Sequence, residues 1–146
     1  GLAYPNGIVV RPSGGQLLVA ESQKNRILAY DILAPGKVGP RRVFARLPAR
    51  EAERGQIDNQ PDGICLDAEG NLFVAHYGMQ QVQVLHRRGR LIGRYNGGTL
   101  RTSNVAFGGA QMNQLYVTGS LKGGRGGLFR IPLGVPGLVI LPQKDP

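Results

Sequence analysis

PDGICLDAEGNLFVA, residues 61–75, is the stretch that decides the fold. A polar Asp-Gly pair opens one short apolar run, and a second apolar run follows after the turn formers at 69–71. The same arrangement occurs at 6–20 and again at 104–118. Repetition with a period of about 50 residues is typical of a modular array such as a β-propeller.

A third apolar run follows in each copy, at 27–30, 82–85 and 128–131. No stretch has a sustained apolar period near 3.6, and the 23 Gly and 10 Pro would interrupt most helices. For the polar segment at 48–61 we expect either a loop or one helical turn. The pattern therefore predicts an all-β chain of three four-stranded antiparallel blades, at approximately 5–58, 59–101 and 102–142.

Composition limits the classes of protein to consider. At 146 residues and 41% hydrophobic content the chain can bury one core. No apolar stretch approaches 18 residues, so we expect no membrane association. The single cysteine, Cys65, cannot form an internal disulfide, which makes the reducing cytoplasm the expected compartment, with secretion as the alternative.

The net charge of +9 is spread along the chain, with short clusters only at 41–42 and 87–90. Nucleic-acid binding requires basic residues gathered on one face, preferably with aromatic residues that stack on bases. Since the aromatic content is 6%, this class is disfavoured. A basic surface would instead attract small anionic substrates such as sugar acids.

The ordered set of motifs resembles a known family. PNGI at 5–8, PDGICLDAEGNLFVA at 61–75, TSNVAFGG at 102–109 and LYVT at 115–118 are similar to the gluconolactonase, regucalcin (senescence marker protein) and luciferin-regenerating-enzyme family. The resemblance implies a six-bladed β-propeller with a divalent metal at the top of its central channel. It also implies hydrolysis of sugar lactones or related esters.

By this resemblance, Asn6 and Asp62 match two of the family's metal ligands, and Asp62 is also the candidate catalytic base. Amide and carboxylate oxygens suit hard cations, which favours Ca²⁺ and leaves Zn²⁺ or Mn²⁺ as alternatives. Asn-Gly and Asp-Gly pairs also form ordinary hairpin turns, so a purely structural role for both residues is the competing interpretation.

Four further residues are candidates for an additional ligand or a substrate contact. Ser103 and Asn104 lie at the matching position of the third blade, where a structural hydrogen bond is the alternative. His76 ends the second run of its copy, and Glu21 lies at the corresponding position of the first copy. For His76 a structural histidine, and for Glu21 a solvated strand end, are the simpler interpretations.

The resemblance covers only the second half of the propeller, and the family's first half supplies a metal-binding Glu and another Asn. Three blades alone would leave open sheet faces and strand edges. We therefore expect either a longer protein with an N-terminal half or a homodimer that closes a six-bladed ring by two-fold symmetry.

Two classes of function follow from the sequence. The first is a metal-dependent lactonase or esterase of the gluconolactonase type. The second is a non-catalytic half-propeller that binds a small molecule or a protein partner through a degenerate metal site.

Overall fold

The computed structural model describes residues 1–51 and 59–139. Regular structure there consists of β-strands and two short 3₁₀ turns, at Ser22–Lys24 and Lys122–Gly124. The strands of the first sheet are β1 Pro5–Val10, β2 Gln16–Glu21, β3 Arg26–Ala34, β4 Lys37–Val38 and β5 Arg42–Arg46. Those of the second are β6 Gln60–Leu66, β7 Leu72–Tyr77, β8 Gln81–Leu85 and β9 Leu91–Asn96. The third contains β10 Arg101–Gly108, β11 Gln114–Ser120 and β12 Gly126–Pro132.

Each sheet is an antiparallel meander in which sequential strands pair. The first has the order β1-β2-β3-β5, with the two-residue β4 paired to the far end of β3. The second has the order β6-β7-β8-β9 and the third β10-β11-β12. The predicted all-β fold with three antiparallel sheets is confirmed.

The third sheet differs from the predicted four strands, since it contains three in the described part of the chain. Residues 133–139 instead cross to the second sheet, where Leu138 N donates to the Leu66 carbonyl (2.9 Å) and Ala68 N donates to the Pro136 carbonyl (2.9 Å). Pro136 in this segment lacks the N–H that a regular ladder needs, which disfavours its pairing with β12.

Residues 52–58, which are half of the predicted loop or helical turn at 48–61, lie outside the described residues. So do the predicted blade limits at 58 and 142.

Strand β7 of the middle sheet is buried on both faces, and its side chains alternate between two cores. Leu72 and Val74 pack toward the first sheet, whereas Phe73 and Ala75 pack toward the third. This explains why LFVA reads as a continuous apolar run instead of alternating with polar residues.

Glycines allow the innermost strands of neighbouring sheets to approach closely. A Cβ on Gly7 of β1 would lie 2.4 Å from the Asp62 carbonyl oxygen and 2.8 Å from Ile64 N of β6. A Cβ on Gly63 would lie 2.8 Å from Asn104 Cα of β10. The side chains next to these glycines are thereby gathered where the three sheets meet.

We predict that Gly7→Ala lowers the free energy of unfolding by about 2 kcal/mol, because the added methyl group meets backbone atoms that cannot rotate away. Gly126→Ala is the matched control, since no atom lies within 4 Å of its added Cβ. Urea unfolding monitored by circular dichroism measures both changes. Equal losses in the two variants would contradict the role given to Gly7.

Candidate functional site

A β-bulge occurs at the same place in all three innermost strands. The register shifts between Pro5 and Ile8 in β1, between Pro61 and Ile64 in β6, and between Thr102 and Asn104 in β10. A bulge bends the strand and changes the direction of a side chain. It therefore explains how polar residues at 6, 62 and 103 leave the regular alternation of their strands.

Asn6 and Asp62 line one cavity of about 290 Å³ between the first two sheets. The other lining residues are Tyr4, Ser22, Gln60 and Tyr77. The strand registers make these residues three equivalent pairs, one member from each sheet: Tyr4 with Gln60, Asn6 with Asp62, and Ser22 with Tyr77. Equivalent residues of the first and second copies of the repeat therefore line opposite sides of the cavity.

Asp62 is a half-buried carboxylate in this cavity. Burial raises the pKa of Asp62, and a hydrogen bond from the Asn6 side chain partly offsets that rise. No ion pair to Asp62 forms within the part of the chain that the structure describes. A desolvated carboxylate without a cationic side chain is a suitable place for a metal ion or for a proton.

The structure brings Ser103 and Asn104 next to this pair but not into the cavity. The register aligns Ser103 with Asn6 and Asp62, and it aligns Asn104 with Gly7 and Gly63. Ser103 Oγ lies 3.3 Å from both the carbonyl oxygen and Oγ1 of Thr118. Asn104 Oδ1 accepts from Val105 N (2.9 Å), and its side chain occupies the space beside Gly63.

His76 lies outside the cavity and is fully buried at the end of β7. Its Nε2 is 2.9 Å from Asn25 Oδ1, and its Nδ1 is 3.2 Å from Gln83 Nε2. Both ring nitrogens are therefore engaged by side-chain amides, and burial lowers the pKa of His76 to about 4. This geometry suits a neutral, structural imidazole.

Glu21 is the residue of β2 that corresponds to His76, and it is equally buried. Its carboxylate forms an ion pair with Arg26 and accepts a hydrogen bond from Ala3 N (2.8 Å). The pKa of Glu21 is lowered: burial is the largest single influence and acts to raise it, but the hydrogen bonds from Arg26 and Ala3 and the positive charges of Arg26 and Arg41 together outweigh burial. The Glu21 side chain does not line the cavity.

Asn6 and Asp62 fit part of a hard-cation site. They supply one amide and one carboxylate group, the donor types that Ca²⁺ prefers, and the carboxylate lacks a cationic side-chain partner among the described residues. Within residues 1–51 and 59–139 there is no group of three His, Cys, Asp or Glu that could hold a metal ion. Among the described residues, these two side chains would therefore supply only part of the ligand set that such a cation needs.

Comparison with known proteins decides the family. The sequence profile described as SMP-30/Gluconolactonase/LRE-like region matches residues 1–120. The chain belongs to this family.

Three curated relatives place the chain within the SMP-30/gluconolactonase family. It is 33% identical over 85 residues to the diisopropyl-fluorophosphatase of Loligo vulgaris, covering 56% of the chain and 25% of that protein. The regucalcin of Gallus gallus is 33% identical over 121 residues, covering 75% of the chain and 38% of the relative. Lactonase drp35 of Staphylococcus saprophyticus is 32% identical over 112 residues, covering 73% and 33%.

Solved structures of the family agree with the fold. A luciferin-regenerating enzyme superposes with a TM-score of 0.78 at 26% identity, over 94% of this chain and 48% of that protein. A regucalcin from Agrobacterium tumefaciens strain C58, described as calcium-binding, gives a TM-score of 0.68 at 28% identity over 83% and 39%. The chain thus spans about a quarter to a half of the length of these relatives.

Four residues that line the cavity were not predicted from the sequence: Tyr4, Ser22, Gln60 and Tyr77. The repeat carried a signal for two of them, because Tyr4 and Gln60 each directly precede the Pro of their motif.

No helix in the described residues is long and apolar enough to cross a bilayer.

We predict that protonation of His76 destabilises the fold in mild acid. Its pKa of about 4 when folded lies below the ordinary value of 6.5, so the unfolded chain takes up the proton first. The contribution is complete above pH 6.5 and is lost as the pH falls to about 4, and it amounts to about 3 kcal/mol at most.

Urea unfolding of the wild type and His76→Gln across this pH window measures the effect. The variant should show a shallower decline in unfolding free energy between pH 6.5 and about 4. Parallel declines in the two proteins would show that His76 does not titrate as its burial implies.

Proposed function

We propose that this chain carries part of the active site of a metal-dependent hydrolase of sugar lactones or related esters. The observation that carries the proposal is the half-buried Asp62 carboxylate, which lines one cavity with Asn6, each at the bulge of its own innermost strand. Membership in a family that includes lactonase drp35 supports the same reaction class.

Asn6 and Asp62 would hold the divalent cation through their side-chain oxygens. Ca²⁺ is favoured by these donors and by the calcium-binding regucalcin among the similar structures, with Zn²⁺ or Mn²⁺ as alternatives. When bound, such an ion supplies Lewis-acid polarisation of an acyl carbonyl.

Asp62 would act as the general base. Its carboxylate accepts a proton from water as the water oxygen bonds to the acyl carbon, and it returns the proton to the ring oxygen as the ester C–O bond breaks. One water molecule and one lactone are thus converted into one hydroxy acid.

The net charge of +9 supports an anionic substrate. Positive potential over the surface raises the local concentration of negatively charged small molecules. A sugar lactone that bears a carboxylate or phosphate would benefit from this attraction.

The alternative is a binding function without catalysis. Asp62 is the only carboxylate that lines the cavity formed by the described residues, and a lone carboxylate can bind a ligand without supporting turnover. A small molecule or a protein partner would then occupy the same cavity.

We further propose that a second copy of the chain completes the ring. Apolar residues on the outer faces of the end sheets are exposed: Ile8 is 62% exposed on β1, and Leu128 is 70% exposed on β12. Their neighbours Val9 and Phe129 pack inward, so Ile8 and Leu128 face away from the middle sheet. In an isologous dimer these two faces would cover each other, and both Asp62 carboxylates would face one channel.

We predict that Asp62→Asn lowers lactone hydrolysis by about 10²-fold or more, because the base is lost while the side chain keeps its shape. Asp31→Asn is the matched control, since Asp31 is an exposed carboxylate paired with Arg42 outside the cavity. A panel of lactones assayed with added Ca²⁺, Zn²⁺ or Mn²⁺ measures turnover. Hydrolysis that is indifferent to the Asp62 substitution would reject the enzyme proposal, and metal-dependent binding without turnover would support the alternative.

We predict that Leu128→Glu converts the dimer into a monomer, because it places a charge in the apolar contact between copies. Ile92→Glu is the control, since Ile92 is 43% exposed on β9 of the middle sheet. Sedimentation equilibrium at micromolar concentration gives the mass. A wild-type monomer would reject the homodimer and favour an N-terminal half as the missing partner.

A further inference from the structure

Tyr4 has an unusual backbone for an aromatic residue at a cavity. Its φ is 58°, in the left-handed region that bulky side chains rarely adopt. Such a conformation persists only where the surroundings hold it, and it commonly marks a residue with a functional task. Tyr4 is also 62% exposed, so burial of its own ring does not explain the conformation.

Three hydrogen bonds hold the backbone on either side of the Cα of Tyr4. Ala3 N donates to Glu21 Oε1 (2.8 Å), Ser22 N donates to the Tyr4 carbonyl (3.0 Å), and Gln23 N donates to the Ala3 carbonyl (3.3 Å). The Glu21 carboxylate cannot turn away, because it is 1% exposed and forms an ion pair with Arg26. The end of β2 therefore clamps residues 3 and 4.

This clamp fixes the backbone of Tyr4, which lines the cavity that contains Asp62. Tyr4 and Tyr77 are the two aromatic residues that line the cavity, and the remaining lining groups are polar: Asn6, Ser22, Gln60 and Asp62. Aromatic faces combined with amide, hydroxyl and carboxylate groups suit a ligand that has an apolar ring face and a polar edge.

We propose that Tyr4 is a ligand-binding residue whose ring packs against the face of a hydroxylated six-membered ring, and that Glu21 is the positioning residue that holds it there. This assignment rests on the proposed function only in placing the ligand in the cavity of Asp62. The C–H face of the ligand ring contacts Tyr4, while the amides of Asn6 and Gln60 pair with its hydroxyl groups. Glu21 acts only through the backbone of residues 3 and 4.

A fluorescence experiment tests the contact directly. The chain contains no Trp, so Tyr4→Trp introduces a single tryptophan at the cavity, and its emission can be excited selectively over that of the remaining tyrosines. Anhydroglucitol, a ring that cannot be hydrolysed, should change its emission in a saturable way. The matched control is Tyr95→Trp, because Tyr95 stacks on Phe73 and does not line this cavity. Emission that stays constant for Tyr4→Trp, or that changes equally for both variants, would overturn the proposal.

Kinetics separate ligand binding from chemistry. With gluconolactone as the probe, Tyr4→Ala should raise KM about tenfold at nearly unchanged kcat, and Tyr4→Phe should restore KM because it keeps the ring face. If hydrolysis occurs but KM does not respond to Tyr4→Ala, the ligand-binding role of Tyr4 is rejected while the proposed hydrolase function stands.

If hydrolysis is absent but the emission of Tyr4→Trp still responds to anhydroglucitol, the proposed hydrolase function is rejected while Tyr4 remains a ligand-binding residue. Absence of both responses rejects both.

The positioning role of Glu21 has its own readout. In the Tyr4→Trp background, Glu21→Gln should lower the fluorescence anisotropy and raise the dissociation constant of anhydroglucitol several-fold. Asp31→Asn, which removes the exposed ion pair with Arg42, should change neither. Circular dichroism confirms that each variant is folded. Unchanged anisotropy and affinity in a folded Glu21→Gln protein would show that the clamp does not position Tyr4.

Discussion

The close contact between the backbones of neighbouring innermost strands underlies the rest of the structure. Gly7 lies against the Asp62 carbonyl, and Gly63 lies against Asn104, at distances that leave no room for a Cβ. The sheets can therefore converge on one side, and the two apolar cores fill the space between them. The same contact brings the bulged residues Asn6 and Asp62 together, because each immediately precedes one of these glycines. The convergence of the sheets and the placement of Asn6 and Asp62 thus both require that residues 7 and 63 have no Cβ.

Equivalent positions of the repeat solve the same physical problem with different residues. Glu21 is the last residue of β2 and His76 the penultimate residue of β7, and both are fully buried, where an unpaired polar group would be costly. Glu21 is neutralised by Arg26 and also holds the backbone beside Tyr4. His76 remains neutral between Asn25 and Gln83, so it joins the second sheet to the first through a side-chain hydrogen bond. Because this position is buried, a polar side chain there needs a hydrogen-bond or ion-pair partner. The neighbouring residues supply a cation for Glu21 and two amides for His76.

Much of the fold and part of the site could be predicted from the sequence. The apolar runs and turn formers indicated antiparallel sheets, and the motifs around Asn6 and Asp62 identified the residues that share the cavity. In the third copy, Asn104 has the side chain expected of a ligand but occupies the position of Gly63, and Ser103 is the counterpart of Asp62. Spacing alone could not place the bulge that decides between two adjacent residues. The prediction of a fourth strand in the third sheet was wrong for a similar reason. Hydrogen bonds with Leu66 and Ala68 direct residues 133–139 to the second sheet, and spacing does not reveal them.

By itself, the sequence determined the strand pattern and the repeat, because these follow from local periodicity and from motifs that recur along the chain, and it marked Asn6 and Asp62 as equivalent positions of that repeat. Only the tertiary structure decided which other residues join that pair. Tyr4 and Tyr77 are far apart in sequence, and they share a cavity because two sheets converge at Gly7. The left-handed backbone of Tyr4 depends on hydrogen bonds from the end of β2 that no local pattern encodes. Long-range packing sets these contacts, and it therefore sets the shape of the candidate site.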